Sequence, residues 1–142
     1  MPRLIFILLL SVLSQVAVCQ VSHPKSKQEL IAVCDKFMDA FKRGNCTEAY
    51  DLIKPYTVIE DYKLDTLAAK STKQMMGLTS SYGKVISYEQ VSEKPVKLVL
   101  TRVMYLLKFE KSFVRFRFIL YNNESWWTIT KFEYNEGIDD LF

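Results

Sequence analysis

Asp61, at the mouth of a helical run, and Glu89, beside Tyr88 in a strand-like segment, are the carboxylates whose settings suit a general base. A buried Asp or Glu in a dry pocket can take a proton without help from a metal. Each also has a plainer role, Asp61 as a helix cap and Glu89 as an edge-strand charge in water. Asp35 and Asp39 lie four apart, with Lys42 three further on, and read as a solvated helix face, as does Asp139-Asp140. The single histidine is His23, close to the N-terminus, so Ser-His-Asp and Cys-His machinery lacks a positioned imidazole. His-rich metal sites fail for the same reason, and Cys34 and Cys46 cannot close a zinc site alone. The four glycines are far apart and form no phosphate loop or dinucleotide fingerprint. No catalytic triad, metal or cofactor is expected.

Tyr50, Tyr88, Tyr105 and Trp127 carry phenol and indole donors that suit the wall of a small-ligand pocket; filling the core with large rings is the alternative use. Cys34 and Cys46 could oxidise in an exported protein, although both lie near one helix-turn-helix, where their Cα atoms exceed the roughly 7 Å that a bridge allows. Otherwise they are buried thiols acting as small hydrophobes. Asn45-Cys46-Thr47 and Asn123-Glu124-Ser125 fit the N-glycosylation pattern in predicted turns, and matter only in a eukaryotic host.

The elements that position these groups follow from hydrophobic period. Ser26 stands three residues before Glu29 as a capping box, and Leu30, Val33, Cys34, Phe37, Met38 and Phe41 follow at helical spacing until Gly44. Asn45 and Glu48 repeat the cap pattern before a short second helix that Pro55 stops. Leu64, Leu67, Ala68, Ser71, Met75, Leu78 and Tyr82 set out a third helix ending at Gly83, with Gly77 expected to loosen its last turns. From Lys84 the period becomes two. Strands are predicted over Val85 to Ser92, Leu98 to Phe109, Phe113 to Tyr121 and Trp126 to Tyr134. Helices first and an antiparallel meander after is the α+β class.

A turn at Glu110-Lys111 sets Leu107 against Val114, Tyr105 against Phe116, Val103 against Phe118 and Thr101 against Leu120, a nearly all-apolar face that helices must cover. Trp127 and Ile129 extend it. The opposite face then carries Leu100, Met104, Leu106, Phe113, Ile119, Tyr121, Trp126, Phe132 and Tyr134, with Arg102, Arg115 and Arg117 among them. Monomers rarely expose such patches, so this face is an expected interface, its arginines forming a rim or gripping an anion. Aromatics interleaved with arginine over Phe113 to Tyr121 are a feature of single-stranded nucleic-acid binders, but the glycines of the common RNA-binding strand are missing and no nucleic-acid partner is expected.

The chain opens with Met1-Pro2-Arg3, which carries one side-chain positive charge, followed by an apolar run from Leu4 to Leu13 and a shorter-chained stretch to Cys19. That layout reads as a signal peptide over residues 1–19, followed by a mobile leader at 20–25 and a single α+β domain at 26–142. Secretion or delivery to a periplasm or cell envelope follows, with lipid attachment at Cys19 as an alternative and no membrane span once the signal is cut. The composition, 49% hydrophobic and 25% charged, is that of a folded protein, and a net charge of +3 is too slight to name an anionic partner.

Phe37 to Tyr50, the helix end Tyr82-Gly83-Lys84, Ile86 to Val91, Tyr105 to Phe109, Phe113 to Tyr121 and Trp127 to Phe132 together resemble the nuclear-transport-factor-2-like superfamily, and its small exported domains more than its enzymes. The resemblance implies a cone: N-terminal helices packed in a strongly bent, four-stranded antiparallel sheet, a pocket between them, and an outer sheet face that often dimerises. The expected function is an exported, non-enzymatic interaction module that forms a homodimer through the open sheet face and holds a small apolar ligand. A pocket enzyme with a lone carboxylate is one alternative. A secreted protease inhibitor of the cystatin kind is another, although Gln90 to Lys94 lacks the glycine expected of its binding loop.

Overall fold

The computed structural model describes residues 23–137. Three helices, α1 (Lys27–Lys42), α2 (Cys46–Ile53) and α3 (Asp61–Tyr82), precede four strands, β1 (Val85–Val96), β2 (Leu100–Phe109), β3 (Phe113–Asn122) and β4 (Trp127–Asn135). The strands form one antiparallel sheet in the order β1-β2-β3-β4. The α+β arrangement expected from the change of period is the one found. The proposed signal peptide, Cys19 and Asp139-Asp140 lie outside the described residues. No described helix is long and apolar enough to cross a membrane.

The helix ends follow their local chemistry. Ser26 Oγ accepts from the Glu29 amide at 3.2 Å, and Glu29 reaches back past Ser26 to accept from the Lys25 amide at 2.9 Å. Asn45 caps α2 by accepting from the Glu48 amide at 3.1 Å. The sheet-facing stripe of α1, Leu30, Cys34, Phe37, Met38 and Phe41, is fully buried. Lys54–Tyr56 is a single 3₁₀ turn around Pro55. α3 runs through Gly77 without a break in the helix. Gly83 ends α3 at φ +83°, a conformation that requires glycine, and a Cβ there would also displace the Glu110 carboxylate, 2.2 Å away.

The β2–β3 register is the one the sequence implies, with Thr101, Val103, Tyr105 and Leu107 facing Leu120, Phe118, Phe116 and Val114. β1 extends beyond the expected turn at Glu93-Lys94-Pro95 and reaches Val96. It is an edge strand, which has no neighbour on one side to miss the proline N–H. Shifts of register at Ile86 and Val91 in β1 and at Thr130 in β4 are bulges, which bend and twist a sheet.

The bulge at Thr130 corrects the assignment of faces. Beyond it, Phe132 faces Phe118 and Tyr134 faces Phe116, so both join the core side and leave the outer face, where Lys131 and Glu133 stand instead. Phe132 lies 5.0 Å from Phe37 and 5.0 Å from Phe118, ring centre to ring centre. It is a core residue and not an interface residue.

The end of the leader is also tied down. Pro24 is buried, its carbonyl accepts from the Trp127 amide at 2.9 Å, and His23 stacks on Trp126 at 4.8 Å. The segment after α2 closes the far edge of the sheet: Thr128 Oγ1 donates to the Tyr56 carbonyl and Thr57 Oγ1 to the Ile129 carbonyl.

Candidate functional site

The core between the helices and the sheet is filled by rings. Phe37 on α1 packs against Phe41, Tyr50, Phe116, Phe118 and Phe132, mostly edge to face. Tyr50 and Tyr105, expected to line a pocket, are wholly buried in this cluster. Trp127 is half-buried against the same core, and Tyr88 is half-buried at the β1 edge, 6.3 Å from the Tyr105 ring. The four rings therefore border no common cavity.

Burial makes each phenol find a partner. Tyr105 donates to Asp35 Oδ1 at 2.7 Å, which draws Asp35 into a half-buried position instead of the solvated face expected of it. Burial, then this hydrogen bond to Asp35, pushes the Tyr105 phenol well above its ordinary range. Tyr50 is likewise pushed up, by burial first. Its hydroxyl meets Ser71 Oγ on α3 at 2.9 Å, Ser71 Oγ meets the Tyr134 hydroxyl at 2.9 Å, and Tyr134 donates to Gln74 Oε1. The amide oxygen can only accept, so the proton order is fixed: Tyr50 donates to Ser71, Ser71 to Tyr134, and Tyr134 to Gln74.

That chain leads from the core to a cleft of about 580 Å³ between the second half of α3 and the paired ends of β3 and β4. Leu78, Val114 and the rings of Tyr82 and Tyr134 supply apolar wall; Gln74, Ser81, Asn135 and Glu136 supply polar groups. Tyr82 donates to Glu136 across the mouth, and the nearby carboxylate is the leading cause of its raised pKa. Gly77 borders the cleft, and a Cβ there would meet nothing within 4 Å. The absent side chain leaves space. Of these residues the sequence placed Gly77, Leu78 and Tyr82 only on the third helix and Val114 only on the core face, and it put Tyr134 on the wrong face.

The carboxylates first considered do not border the cleft. Asp61 is exposed in the first turn of α3, one residue after the cap position held by Glu60. Glu89 is exposed on β1 and pairs with Lys108 Nζ at 3.0 Å. Neither has the dry setting that a carboxylate base needs. Asp39 and Glu48 share Arg43, whose two-pronged contact with Glu48 at 3.1 and 2.9 Å holds that carboxyl below its usual range. Arg43, not Lys42, closes this face. The described residues contain no group of three His, Cys, Asp or Glu placed to hold a metal.

Cys34 and Cys46 are buried free thiols, so the bridge left open by the sequence is not formed. Burial pushes both thiols up, Cys34 strongly, which keeps them protonated and unreactive. Asn45 is exposed and engaged as the α2 cap, donating from Nδ2 to Glu48 at 2.8 Å. Asn123 sits in the β3–β4 turn, its Oδ1 accepting from the Ser125 and Trp126 amides at 3.0 and 2.8 Å.

The outer face of the sheet keeps Arg102, Met104, Leu106, Arg115, Arg117, Ile119 and Tyr121. Met104 and Arg115 are buried even there, and the other apolar members are only partly exposed. Arg117 pairs with Glu133, and Arg115 Nη2 donates to Asn135 Oδ1 at 2.9 Å. Trp126 lies in the turn beyond, 38% exposed.

No family model and no curated protein matches the sequence. A solved structure from Campylobacter jejuni, described as an NTF2-like transpeptidase, is similar with a TM-score of 0.47 over 75% of this chain and 99% of its own, at 14% identity. A likeness at that level says nothing about activity.

Proposed function

We propose that this domain is an exported, non-enzymatic binding module that takes a small, largely apolar ligand in the cleft between α3 and β4. The observation that carries the reading is the cleft itself: rings fill the core between the helices and the sheet, while about 580 Å³ stays open beside it with apolar walls and a few convergent polar groups. Binding sites for small molecules have that composition. Among the described residues no imidazole or thiol borders the cleft, and its carboxylate, Glu136, is exposed and accepts from Tyr82, so the polar groups serve as hydrogen-bonding partners for orientation. Export rests on the N-terminal layout of charge, apolar run and short-chained stretch.

Titration with benzyl alcohol, benzylamine and benzoate, followed by the methyl resonances of Leu78 and Val114 and the side-chain amide of Gln74, tests the site. The expected result is shifts confined to the cleft for at least one probe and absent in Gly77→Leu, which fills open space on a helix. Unchanged cleft resonances with every probe would contradict the reading.

A second reading has its own observation. Leu106, Phe113 and Ile119, half-exposed beside Arg102 and Arg117 on one sheet face, suit a homodimer. Sedimentation velocity checks it: a dimer that Leu106→Asp converts to monomer supports it, and a monomer at high concentration counts against it.

A further inference from the structure

We infer that the end of the sheet where the β1–β2 and β3–β4 turns meet is a docking tip for an anionic bilayer surface. The two turns are joined side by side: the Asn122 amide donates to the Val99 carbonyl at 2.8 Å and Asn122 Nδ2 to the Leu98 carbonyl at 3.2 Å. This end gathers Leu98, 85% exposed, Val96 at 61%, Val99 at 47%, Trp126 at 38% and Tyr121 at 36%. The other large exposed hydrophobics, Val58, Tyr62, Met76, Ile86 and Val91, lie elsewhere on the domain. Concentration at one end, and not exposure alone, is what sets the tip apart.

Charge points the same way. Lys25, Lys94 and Lys97 are exposed around the tip and none is in an ion pair among the described residues. Glu93 is taken by Lys27, which leaves Glu124 as the acid in the turns. Apolar side chains at turn apices with Trp and Tyr behind them and lysines at the rim match the layers of a bilayer surface: acyl boundary, interface and anionic headgroups. A protein partner fits less well. A stable interface takes roughly 800 Å² from each side, more than five partly exposed side chains on two turns offer. The proposed contact is peripheral, and it is independent of the cleft.

The test is co-sedimentation of the purified protein with vesicles of phosphatidylcholine alone and with added phosphatidylglycerol, with tryptophan emission read in parallel. Expected are partition onto the anionic vesicles, a blue shift lost in Trp126→Phe, and weakening by salt. Leu98→Asp should lower partition at least about tenfold and Lys94→Gln with Lys97→Gln by about tenfold or more. Val58→Asp, an equally exposed change elsewhere, should bind like the parent. Circular dichroism shows that each variant is folded. Absence of partition onto anionic vesicles, equal partition of Leu98→Asp, or self-association through Leu98 in the absence of lipid would overturn the proposal.

Discussion

Replacing Ser71 with Ala removes the middle of the buried hydroxyl chain, and the structure says how unequal the consequences are. Tyr50 loses its sole hydrogen-bond partner among the described residues while remaining fully buried. A buried hydroxyl left unpaired costs about 1–3 kcal/mol. Tyr134 loses only an accepted bond, since its own proton still goes to Gln74. Ser71→Ala should therefore destabilise by about 2 kcal/mol. Tyr50→Phe removes a donor whose acceptor, Ser71, keeps its bond to Tyr134, and should cost about 1 kcal/mol. Once Ser71 is gone the Tyr50 hydroxyl is only a liability, so the double variant should cost about 2 kcal/mol or less instead of the additive 3. Urea unfolding of the four proteins, with a common denaturant slope, measures the cycle. A double variant at the additive value would mean that Tyr50 and Ser71 do not interact, and would refute the chain that links core to cleft.

Phe37→Ala, which removes the ring at the centre of five aromatic contacts, should destabilise by about 3–5 kcal/mol in the same assay. Gly77→Ala should stabilise by about 1 kcal/mol, because the helix accepts a Cβ there with nothing to meet it. Tyr50 and Tyr105 have raised folded pKa values, so stability should be intact below the unfolded phenol value of about 10 and fall above it; melting temperature against pH should show that decline, and Tyr105→Phe should flatten it. Cys34 and Cys46 should ignore a disulfide-exchange reagent in the native protein and both react in denaturant, whereas immediate native labelling would contradict their burial.

The sequence was most legible where one constraint admits one answer. A two-residue turn at Glu110-Lys111 leaves a single register that puts Leu107, Tyr105 and Val103 opposite Val114, Phe116 and Phe118, and that register is the observed one. β4 offered two answers. Trp127 and Ile129 share one parity, Phe132 and Tyr134 the other, so either the last two face outward or an extra residue intervenes. An unbroken strand puts two large rings in an outer patch; a bulge at Thr130 puts all four side chains inside, with Lys131 and Glu133 on the outer face. Burial decides for the bulge, and the switch of parity was its visible mark.

The cleft was hidden for a related reason. Its walls come from α3 and β4, elements joined by no sequence pattern, and Tyr134 could be placed only once the bulge was known. The phenols chosen as pocket lining had the right chemistry, but Tyr50 and Tyr105 were claimed by the core, where each buried hydroxyl found a partner in Ser71 or Asp35. The carboxylates were judged by chain position, and the dryness that would make one a base is a property of its surroundings.

Native mass spectrometry of the protein, purified without refolding from the host's extracellular or envelope fraction beside its Gly77→Leu variant, tests the central claim most directly. The account predicts a chain shortened near Cys19 that carries a retained small molecule, and a variant that is folded and bare. A parent protein without ligand, or a variant that retains it equally well, would contradict the cleft as the binding site.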